Sequence, residues 1–428
     1  MATAAETDLA ERDYFTDHSV LLNPYEYFEA VRAKGPVHRL EGRNLVVVTG
    51  FEEGIEVLLD SDRFSSCIAA AGPVAPLPFT PEGDDITGQI EAAHDPNSPT
   101  ALMVNYDGER HTAARSILNS LFTPSKLKAN EDFMESYAAK IVGEAVADGG
   151  CELIKEIAAP YVTLVIADLL GVPEDDQEEF RKVIDQAPPS HSTDSGTEGQ
   201  PSSILLFLGG YFMRYVQDRL ANPQDDVLTE LAHAKYPDGS QAPVLEVVKS
   251  AMFLFAAGQD TSAKLLGNSI RFLAENPELQ QELREDLSKV PAFIEEMMRL
   301  EGSVKATFRL TKKTTSIGGV PLKAGDPLVI ALSAGNRDDR RWEGPAEFRM
   351  GRPKIKEHVG FGRGAHTCLG APLARAEVRV LLEQFLEQTA NITLDEVHHG
   401  AAGDRRLSYE GSYVIRGLNE LHVKLTPA

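Results

Sequence analysis

Apolar residues recur along the chain with two spacings, one typical of strands and one typical of helices. The β-branched run 45–49, which Gly50 closes, predicts a buried strand. From His111 to about Arg299 the apolar positions follow helical spacing, so this stretch is predicted to be mostly helical. Its clearest one-sided stripe consists of Phe133, Tyr137, Ile141 and Ala145.

The longest predicted element is a helix over 244–274, which Pro243 starts and Asn276-Pro277 ends. Residues 69–105 are loop-like, and 187–203 collect turn-forming residues that predict a mobile surface loop. After Arg309 the pattern becomes β-like. Turns are predicted at Gly318-Gly319 and Ala324-Gly325-Asp326, and a half-exposed strand over 421–425.

Composition narrows the class of protein. The chain has 428 residues, 42% of them hydrophobic, and no linker divides its pattern, so one large folded unit is expected. A net charge of -23 argues against nucleic-acid binding, which needs a basic face. The N-terminus lacks the apolar core of a signal peptide, and no apolar stretch approaches the roughly 18 residues that span a bilayer. We therefore expect no export and no membrane anchor.

The three cysteines, Cys67, Cys151 and Cys368, are too far apart for a disulfide framework or a paired zinc signature, and they fit a reducing cytoplasm. Cys67 and Cys151 are expected to be ordinary buried residues. Cys368 differs because it follows a glycine-rich turn and precedes a predicted helix, whose first turn Pro372 suits. The start of a helix favours the thiolate, which is the metal-binding form of cysteine.

Glycines around Cys368 would let the backbone approach a metal or macrocycle closely; they are Gly362, Gly364 and Gly370. Two other functions fit this loop less well. A phosphate-binding loop would need its third glycine at Thr367, and no Gly-Lys-Ser/Thr follows. A thiol protease would need a histidine base that no independent feature of the sequence nominates.

Three further pairs of polar residues stand out. Asp260-Thr261 follows a small-residue break in the long predicted helix, where close approach of a ligand would explain the composition. Taken alone, Asp260 would be a solvated residue and Thr261 a back-bonded one. Glu296 and Arg299, at i and i+3, form by themselves a weak surface pair. His111 and Arg115, at i and i+4, either present two donors to a carboxylate or belong to an exposed polar face.

The loop Phe361-Gly-Arg-Gly-Ala-His-Thr-Cys-Leu-Gly resembles the haem-binding signature of the cytochrome P450 family at every fixed position. The resemblance continues in order along most of the chain, through Ala257-Gly-Gln-Asp-Thr, Glu296-x-x-Arg, Asn336-Arg-Asp and Phe348-x-x-x-Arg352. Asp107-Gly-Glu-Arg-His departs from the family's frequent Asp-Pro-Pro-x-His, so the start of that helix is less well defined. The fold that the resemblance implies is mainly α with a smaller β-rich part, enclosing haem between the long oxygen-binding helix and the cysteine loop.

Carried over residue by residue, the resemblance makes Cys368 the axial iron ligand and Asp260 and Thr261 the pair that delivers protons during oxygen activation. Glu296 and Arg299 become structural support for the haem-binding core. The positions that the resemblance places against the cofactor, haem b (iron protoporphyrin IX), are His111, Arg115, Ala257, Gly258, Arg309, Phe361, Gly362, His366, Cys368 and Gly370. Uncharged positions that resemble substrate-facing ones are Phe253, Ala256, Ala257, Val304, Thr307 and Val414.

The resemblance implies a monooxygenase that inserts one oxygen atom from dioxygen into a small or medium apolar substrate. No electron-carrier module is seen in the sequence, so ferredoxin and ferredoxin reductase, fed by NAD(P)H, are the expected partners of a cytoplasmic monomer. Residues 69–104 and 187–207 are candidate lids.

A haem-thiolate gas sensor or carrier and a peroxide-driven or rearranging enzyme of the same family stay open. A dehydrogenase lacks the strand-Gly-x-Gly-x-x-Gly-helix unit. We expect a single domain over 1–428, helix-rich at about 105–300 and β-rich near 34–50, 305–330 and 405–428.

Overall fold

The computed structural model describes residues 8–96, 98, 101–185 and 203–428. In chain order its α-helices are α1 (His18–Leu22), α2 (Tyr25–Lys34), α3 (Phe51–Leu59), α4 (Thr87–Ala92), α5 (Gly108–Asn119), α6 (Pro124–Ala147), α7 (Ala159–Leu169), α8 (Glu174–Asp185), α9 (Ser203–Ala221), α10 (Val227–Ala232), α11 (Val244–Glu275), α12 (Pro277–Glu285), α13 (Val290–Glu301), α14 (Leu332–Gly335), α15 (Ala371–Gln388) and α16 (Glu396–His399). The strands are β1 (Val37–Leu40), β2 (Leu45–Val48), β3 (Phe64–Ser65), β4 (Gly150–Glu152), β5 (Thr307–Thr311), β6 (Thr315–Ile317), β7 (Val320–Leu322), β8 (Pro327–Ile330), β9 (Thr389–Leu394) and β10 (His422–Pro427). The predicted mainly α fold with smaller sheets is confirmed.

The strands form small sheets beside the helical part. The order in the largest is β1-β2-β8-β5-β3, in which β2 and β8 run parallel and Val47 lies opposite Val329. A second sheet has the order β4-β10-β9, and β6 and β7 form a hairpin. Gly318 and Gly319 make its two-residue turn with φ of +55° and +80°, a left-handed conformation that glycine adopts without strain.

The long helix α11 is the axis of the helical layer. It packs against α5, α7, α9, α13 and α15. Every residue from Ser262 to Ile270 is buried, as expected of a helix surrounded by protein on all sides. Within this buried segment the Asn268 side-chain amide donates to the Glu301 carbonyl at 3.0 Å, which ties α11 to the end of α13. The helix begins after Pro243 and ends one residue beyond the predicted boundary.

Other local predictions are also confirmed. The run at 45–48 is a strand with every residue buried, and 421–425 lies largely within β10. On α6 the Phe133, Tyr137, Ile141, Ala145 stripe faces the core, although Phe133 and Tyr137 are only half-buried because Met134 and Ala138 occupy the centre of the contact. Residues 69–105 are not entirely loop, since they contain α4. The predicted loop 187–203 lies outside the described residues apart from Ser203.

Among the described residues, no helix is both long enough and apolar enough to cross a membrane.

Candidate functional site

The loop before Cys368 is folded by its glycines. Gly362 and Gly364 have φ of +67° and +74°, the left-handed region that other residues adopt only with strain. The Cys368 N–H donates to the Phe361 carbonyl at 2.8 Å, which closes the loop back on itself. Helix α15 then begins three residues after the cysteine, with Pro372 in its first turn as predicted.

The surroundings of Cys368 act on its thiol in two directions. Its side chain is accessible, yet the surrounding protein atoms raise the pKa of the thiol by burial. The backbone N–H groups of Gly370 and Ala371 and the charges of Arg115 and Arg375 act in the opposite direction without outweighing burial. The start of α15 therefore favours the thiolate, as the sequence predicts, but desolvation disfavours the charged sulfur more strongly and the pKa of the free thiol stays raised.

Basic side chains from three separate segments converge beside this loop. His111 and Arg115 come from α5, Arg309 from β5 and His366 from the cysteine loop. The rings of His111 and His366 lie 4.0 Å apart between centroids. Arg115 donates to the carbonyl of Thr367, the neighbour of Cys368, at 2.7 Å. The structure thus brings together four residues that the resemblance placed against the cofactor.

Burial lowers the affinity of all four groups for protons, and neighbouring positive charges lower that of the two histidines further. Burial, together with the charges of Arg309, His111 and Arg115, lowers the pKa of His366 to about 3. Burial lowers the pKa of Arg309 to about 10 and also lowers the pKa of His111. Asp107 is the acid that opposes these shifts, and it already accepts hydrogen bonds from the Ser65 hydroxyl and the Ser66 N–H.

The hydrogen-bond donors of these four side chains fit the negatively charged edge of a cofactor. The buried Nε2 of His111 has no hydrogen-bond partner among the described residues, and a buried polar atom is costly to leave unpaired. The guanidinium groups of Arg309, which is buried, and Arg115, which is half-buried, call for anions beside them. The two propionates of a haem whose iron is bound by Cys368 would satisfy both requirements.

On α11 the Thr261 hydroxyl donates to the Ala257 carbonyl at 3.0 Å, the i-4 bond that threonine makes within helices. Ala257 itself is exposed in the middle of this otherwise well-covered helix. Asp260 lies close enough to Glu410 to contribute to raising the pKa of that carboxyl. A Cβ added to Gly258 would lie 2.7 Å from Cδ1 of Ile166 on α7, so packing between α7 and α11 supplies a reason for this glycine that the sequence did not suggest.

The six substrate-facing candidates are all incompletely buried, whereas their neighbours Leu254, Phe255, Ala306, Phe308 and Ile415 are buried. Two of the candidate segments meet directly. Val304 forms a β-bridge with Ile415, and the Lys305 N–H donates to the Val414 carbonyl at 2.7 Å. The incomplete burial leaves apolar surface of these side chains accessible beside core residues.

Glu296 and Arg299 form a buried pair rather than a surface one. Both side chains are fully buried, and two hydrogen bonds of 2.7 and 3.0 Å join them. Arg352 donates to the same carboxylate at 3.1 Å. Arg299 also donates to the carbonyls of Asn336 and Glu347, so the cluster ties α13 to the chain that leads into the cysteine loop.

Sequence reasoning missed a second buried cluster on the same helix. His358, just before the cysteine loop, and Arg375 on α15 both bond to Glu295, the first at 3.1 Å. Although burial acts to raise it, these hydrogen bonds lower the pKa of Glu295 to about 2. Arg375 also lies over the Phe361 ring, 4.5 Å from its centroid. The signal in the sequence was the acidic pair Glu295-Glu296 on an otherwise apolar helix.

Comparisons with known proteins agree with one another. The family model described as Cytochrome P450 matches residues 211–390. Cytochrome P450(MEG) of Priestia megaterium is 32% identical over 380 residues, which cover 86% of this chain and 88% of that protein. Cytochrome P450 144 of Mycobacterium tuberculosis is 29% identical over 383 residues, which cover 88% of this chain and 85% of that protein.

Among solved structures, the Mycobacterium marinum cytochrome P450 CYP150A6 in its substrate-free form matches with a TM-score of 0.91 and 47% identity. The match covers 98% of this chain and 100% of that one. CYP109E1 from Bacillus megaterium in complex with corticosterone matches with a TM-score of 0.79 and 27% identity, over 95% of this chain and 99% of that one.

Proposed function

This chain belongs to the cytochrome P450 family, whose members are monooxygenases that use haem and dioxygen, and we propose that it inserts one oxygen atom into a small or medium-sized, neutral, apolar organic compound. The observation that carries the proposal is the accessible Cys368 beside four converging basic side chains, one of which has an unpartnered buried nitrogen. That arrangement matches a thiolate-bound haem and its two carboxylates.

We assign Cys368 as the ligand of the iron of haem b. When bound, this group activates dioxygen, and donation from the thiolate favours cleavage of the O–O bond. Because burial raises the pKa of the free thiol, Cys368 is expected to lose its proton only on binding iron, as a thiol does when it coordinates a metal.

The haem carboxylates would be held by His111, Arg115, Arg309 and His366. The remaining positions that we assign to the cofactor would contact its ring or the iron-bound sulfur: Ala257, Gly258, Phe361, Gly362 and Gly370. Support for Gly370 comes from its closeness to the ligand, since a Cβ there would lie 3.9 Å from the Cys368 sulfur.

Proton delivery is assigned to Asp260 and Thr261. Thr261 already donates to the Ala257 carbonyl, so its oxygen is free to accept a hydrogen bond from the side of the exposed Ala257. Asp260 is the adjacent acid from which a proton can be resupplied, because it lies at the same turn of α11 among the charged groups around Glu410.

The substrate should be held by shape and apolar contact, with Phe253, Ala256, Val304 and Val414 as the walls and Thr307 as a single hydroxyl among them. None of these side chains is charged, which disfavours an anionic or cationic substrate. Similar proteins carry compatible names: CYP109E1 was solved with corticosterone and with testosterone, and a relative that is 28% identical is a vitamin D(3) 25-hydroxylase of Pseudonocardia autotrophica. We propose neutral polycyclic or terpene-like compounds as the first class to screen.

Electrons are proposed to come from NAD(P)H through a separate ferredoxin reductase and ferredoxin. The three widely spaced cysteines support a reducing compartment, and we place the protein in the cytoplasm as a monomer.

The test is the carbon monoxide difference spectrum of the reduced, haem-loaded protein. We expect the red-shifted Soret band of a thiolate-bound haem, and Cys368→His should abolish that band while haem can still bind. Cys67→Ser and Cys151→Ser are matched controls that should keep it. A normal thiolate band in Cys368→His, or its absence from the wild type, would overturn the assignment.

A turnover assay with a surrogate ferredoxin and reductase then separates a monooxygenase from a haem-thiolate sensor or carrier. Screening starts with compounds that shift the spin state of the iron, since a shift reports binding close to the haem. Oxygenated product is the expected result, and reductant-independent product with hydrogen peroxide alone would instead identify a peroxide-driven enzyme.

A further inference from the structure

Glu377 is a buried acid that has no basic partner within the part of the chain that the structure describes. It lies on α15, with only 1% of its surface exposed, and its Oε1 has no hydrogen-bond partner among the described residues. The Ser262 hydroxyl of α11 is the hydrogen-bonding group that its carboxyl reaches. Ser262 directly follows Thr261, so Glu377 connects the helix that begins beside Cys368 to the turn that carries the proposed proton-delivery hydroxyl.

The groups that face Glu377 from the neighbouring elements cannot neutralise a negative charge. From α11 comes the Ser262 hydroxyl, and from α7 comes Tyr161, which donates its hydroxyl to the backbone carbonyl of Glu377 at 3.3 Å. Arg379, two residues further along α15, bonds instead to Glu131 and Glu383. A carboxylate in such surroundings would be a desolvated, unpaired charge.

We propose that Glu377 is held as a neutral carboxylic acid, and that its contact with Ser262 fixes the turn of α11 that positions Thr261. This inference rests on the proposed role of Thr261. Glu377 touches neither substrate nor cofactor in the proposal, so it is a positioning residue. Its ionisation releases one proton to solvent and leaves a charge between α11 and α15 that only movement of the two helices or entry of water can accommodate.

Burial disfavours the carboxylate form of Glu377 and raises its pKa to about 8, which supports a neutral acid at this position. A carboxyl whose pKa is raised on folding stabilises the fold at low pH, and that stabilisation is lost as the pH rises toward the folded value. The loss should therefore develop between about pH 5 and about pH 8.

The experiment compares wild type with Glu377→Gln, which keeps the shape and stays neutral, and with Glu377→Ala, which removes the contact. The matched control is Asp168→Asn, since burial raises the pKa of Asp168 too but its partner is Asn130 on α6. Thermal unfolding of the haem-loaded proteins is followed between about pH 5 and about pH 9, and product formed per NAD(P)H consumed is measured over the same range with the best compound of the screen.

We expect the unfolding midpoint of wild type to fall relative to Glu377→Gln by a few degrees over this range. Product per NAD(P)H should fall above about pH 8 in wild type and in Asp168→Asn but not in Glu377→Gln, and it should be low at every pH in Glu377→Ala.

Identical pH dependence of unfolding in wild type and Glu377→Gln would contradict the proposal that Glu377 is held as a neutral acid. Equal product yields in Glu377→Ala and Glu377→Gln would overturn the positioning role. Failure of the proposed function looks different, since a wild type that binds haem but forms no product leaves the unfolding comparison intact.

Discussion

The imidazole rings of His111 and His366 lie 4.0 Å apart, with 42° between their planes, although they belong to a helix in the first third of the chain and to the cysteine loop near its end. Two basic rings at this distance, with Arg115 and Arg309 beside them, repel each other when protonated. Burial lowers the pKa of both His111 and His366, and the positive charges of Arg115 and Arg309 lower both further. An anion bound between them would reverse that repulsion, and this is the physical reason why the cluster is best explained as a binding site.

Removing the buried charge of Arg309 should weaken haem retention. We expect Arg309→Met to lose about 2 kcal/mol of haem affinity, roughly thirtyfold, because a hydrogen bond to a charged group is worth this much. Transfer of haem to an excess of an apo-globin measures the loss. Arg110→Met is the control, since Arg110 is largely exposed and pairs with Glu91. Unchanged haem transfer from Arg309→Met would remove Arg309 from the cofactor site.

Replacing Thr261 by alanine should separate consumption of reductant from formation of product. The variant keeps the fold, because the lost bond is one i-4 contact within α11, but it lacks the hydroxyl proposed to handle protons. We expect NAD(P)H oxidation to continue with several-fold less product, and Thr261→Ser to restore the yield. Thr112→Ala removes the same kind of bond, at 3.1 Å, from an exposed position on α5 and should change neither quantity.

Breaking the buried Glu296 cluster should destabilise the fold. Glu296→Ala leaves Arg299 and Arg352 as buried, unpaired cations, which costs about 3–5 kcal/mol. Denaturant unfolding of the haem-loaded protein measures the change. Lys128→Ala, which breaks an exposed i,i+4 pair with Asp132, should alter the free energy of unfolding by less than about 0.5 kcal/mol. A similarly small effect of Glu296→Ala would contradict the supporting role of the cluster.

Gly258→Ala should destabilise the fold unless the Ile166 side chain moves or is shortened. A Cβ there would meet Cδ1 of Ile166 at 2.7 Å, so Gly258→Ala is expected to lose about 1–3 kcal/mol of stability through overpacking. Ile166→Val removes the Cδ1 atom, and the double variant should recover most of that loss. A double-mutant cycle with thermal unfolding measures the coupling. Additive effects would instead favour crowding against the cofactor as the reason for the glycine.

Lys305 should make the free energy of unfolding rise with pH above about pH 7. It is fully buried and donates to the carbonyls of Leu21 and Ser412, and burial lowers its pKa to about 7. Below a pH of about 7 the buried lysine is protonated in spite of its desolvation, which costs stability. Between about pH 7 and the unfolded pKa near 10.5 the folded protein binds one proton fewer than the unfolded chain, so the free energy of unfolding rises with pH. The wild type should gain free energy of unfolding relative to Lys305→Met over that range, by at most about 1.4 kcal/mol per pH unit. Parallel pH profiles would show that Lys305 keeps its proton throughout.

Sequence by itself determined the features that depend on neighbouring residues. The cysteine loop follows from glycines at the two positions with positive φ and from Pro372 at the start of α15. The ends of α11 follow from Pro243 and from Asn276-Pro277, and the turn between β6 and β7 follows from Gly318-Gly319. In each case the deciding energy is a local backbone preference or a missing N–H group, which acts whatever the rest of the chain does.

Tertiary structure alone decided which polar residues are buried and what they meet. Glu296 and Arg299 have the spacing of a surface pair, and only their desolvation by the surrounding chain makes them a buried cluster. Packing against Ile166 explains Gly258, and burial sets the protonation of Cys368, Lys305 and Glu377. Desolvation and contact energies are sums over neighbours that come from distant parts of the chain, so no pattern of adjacent residues contains them.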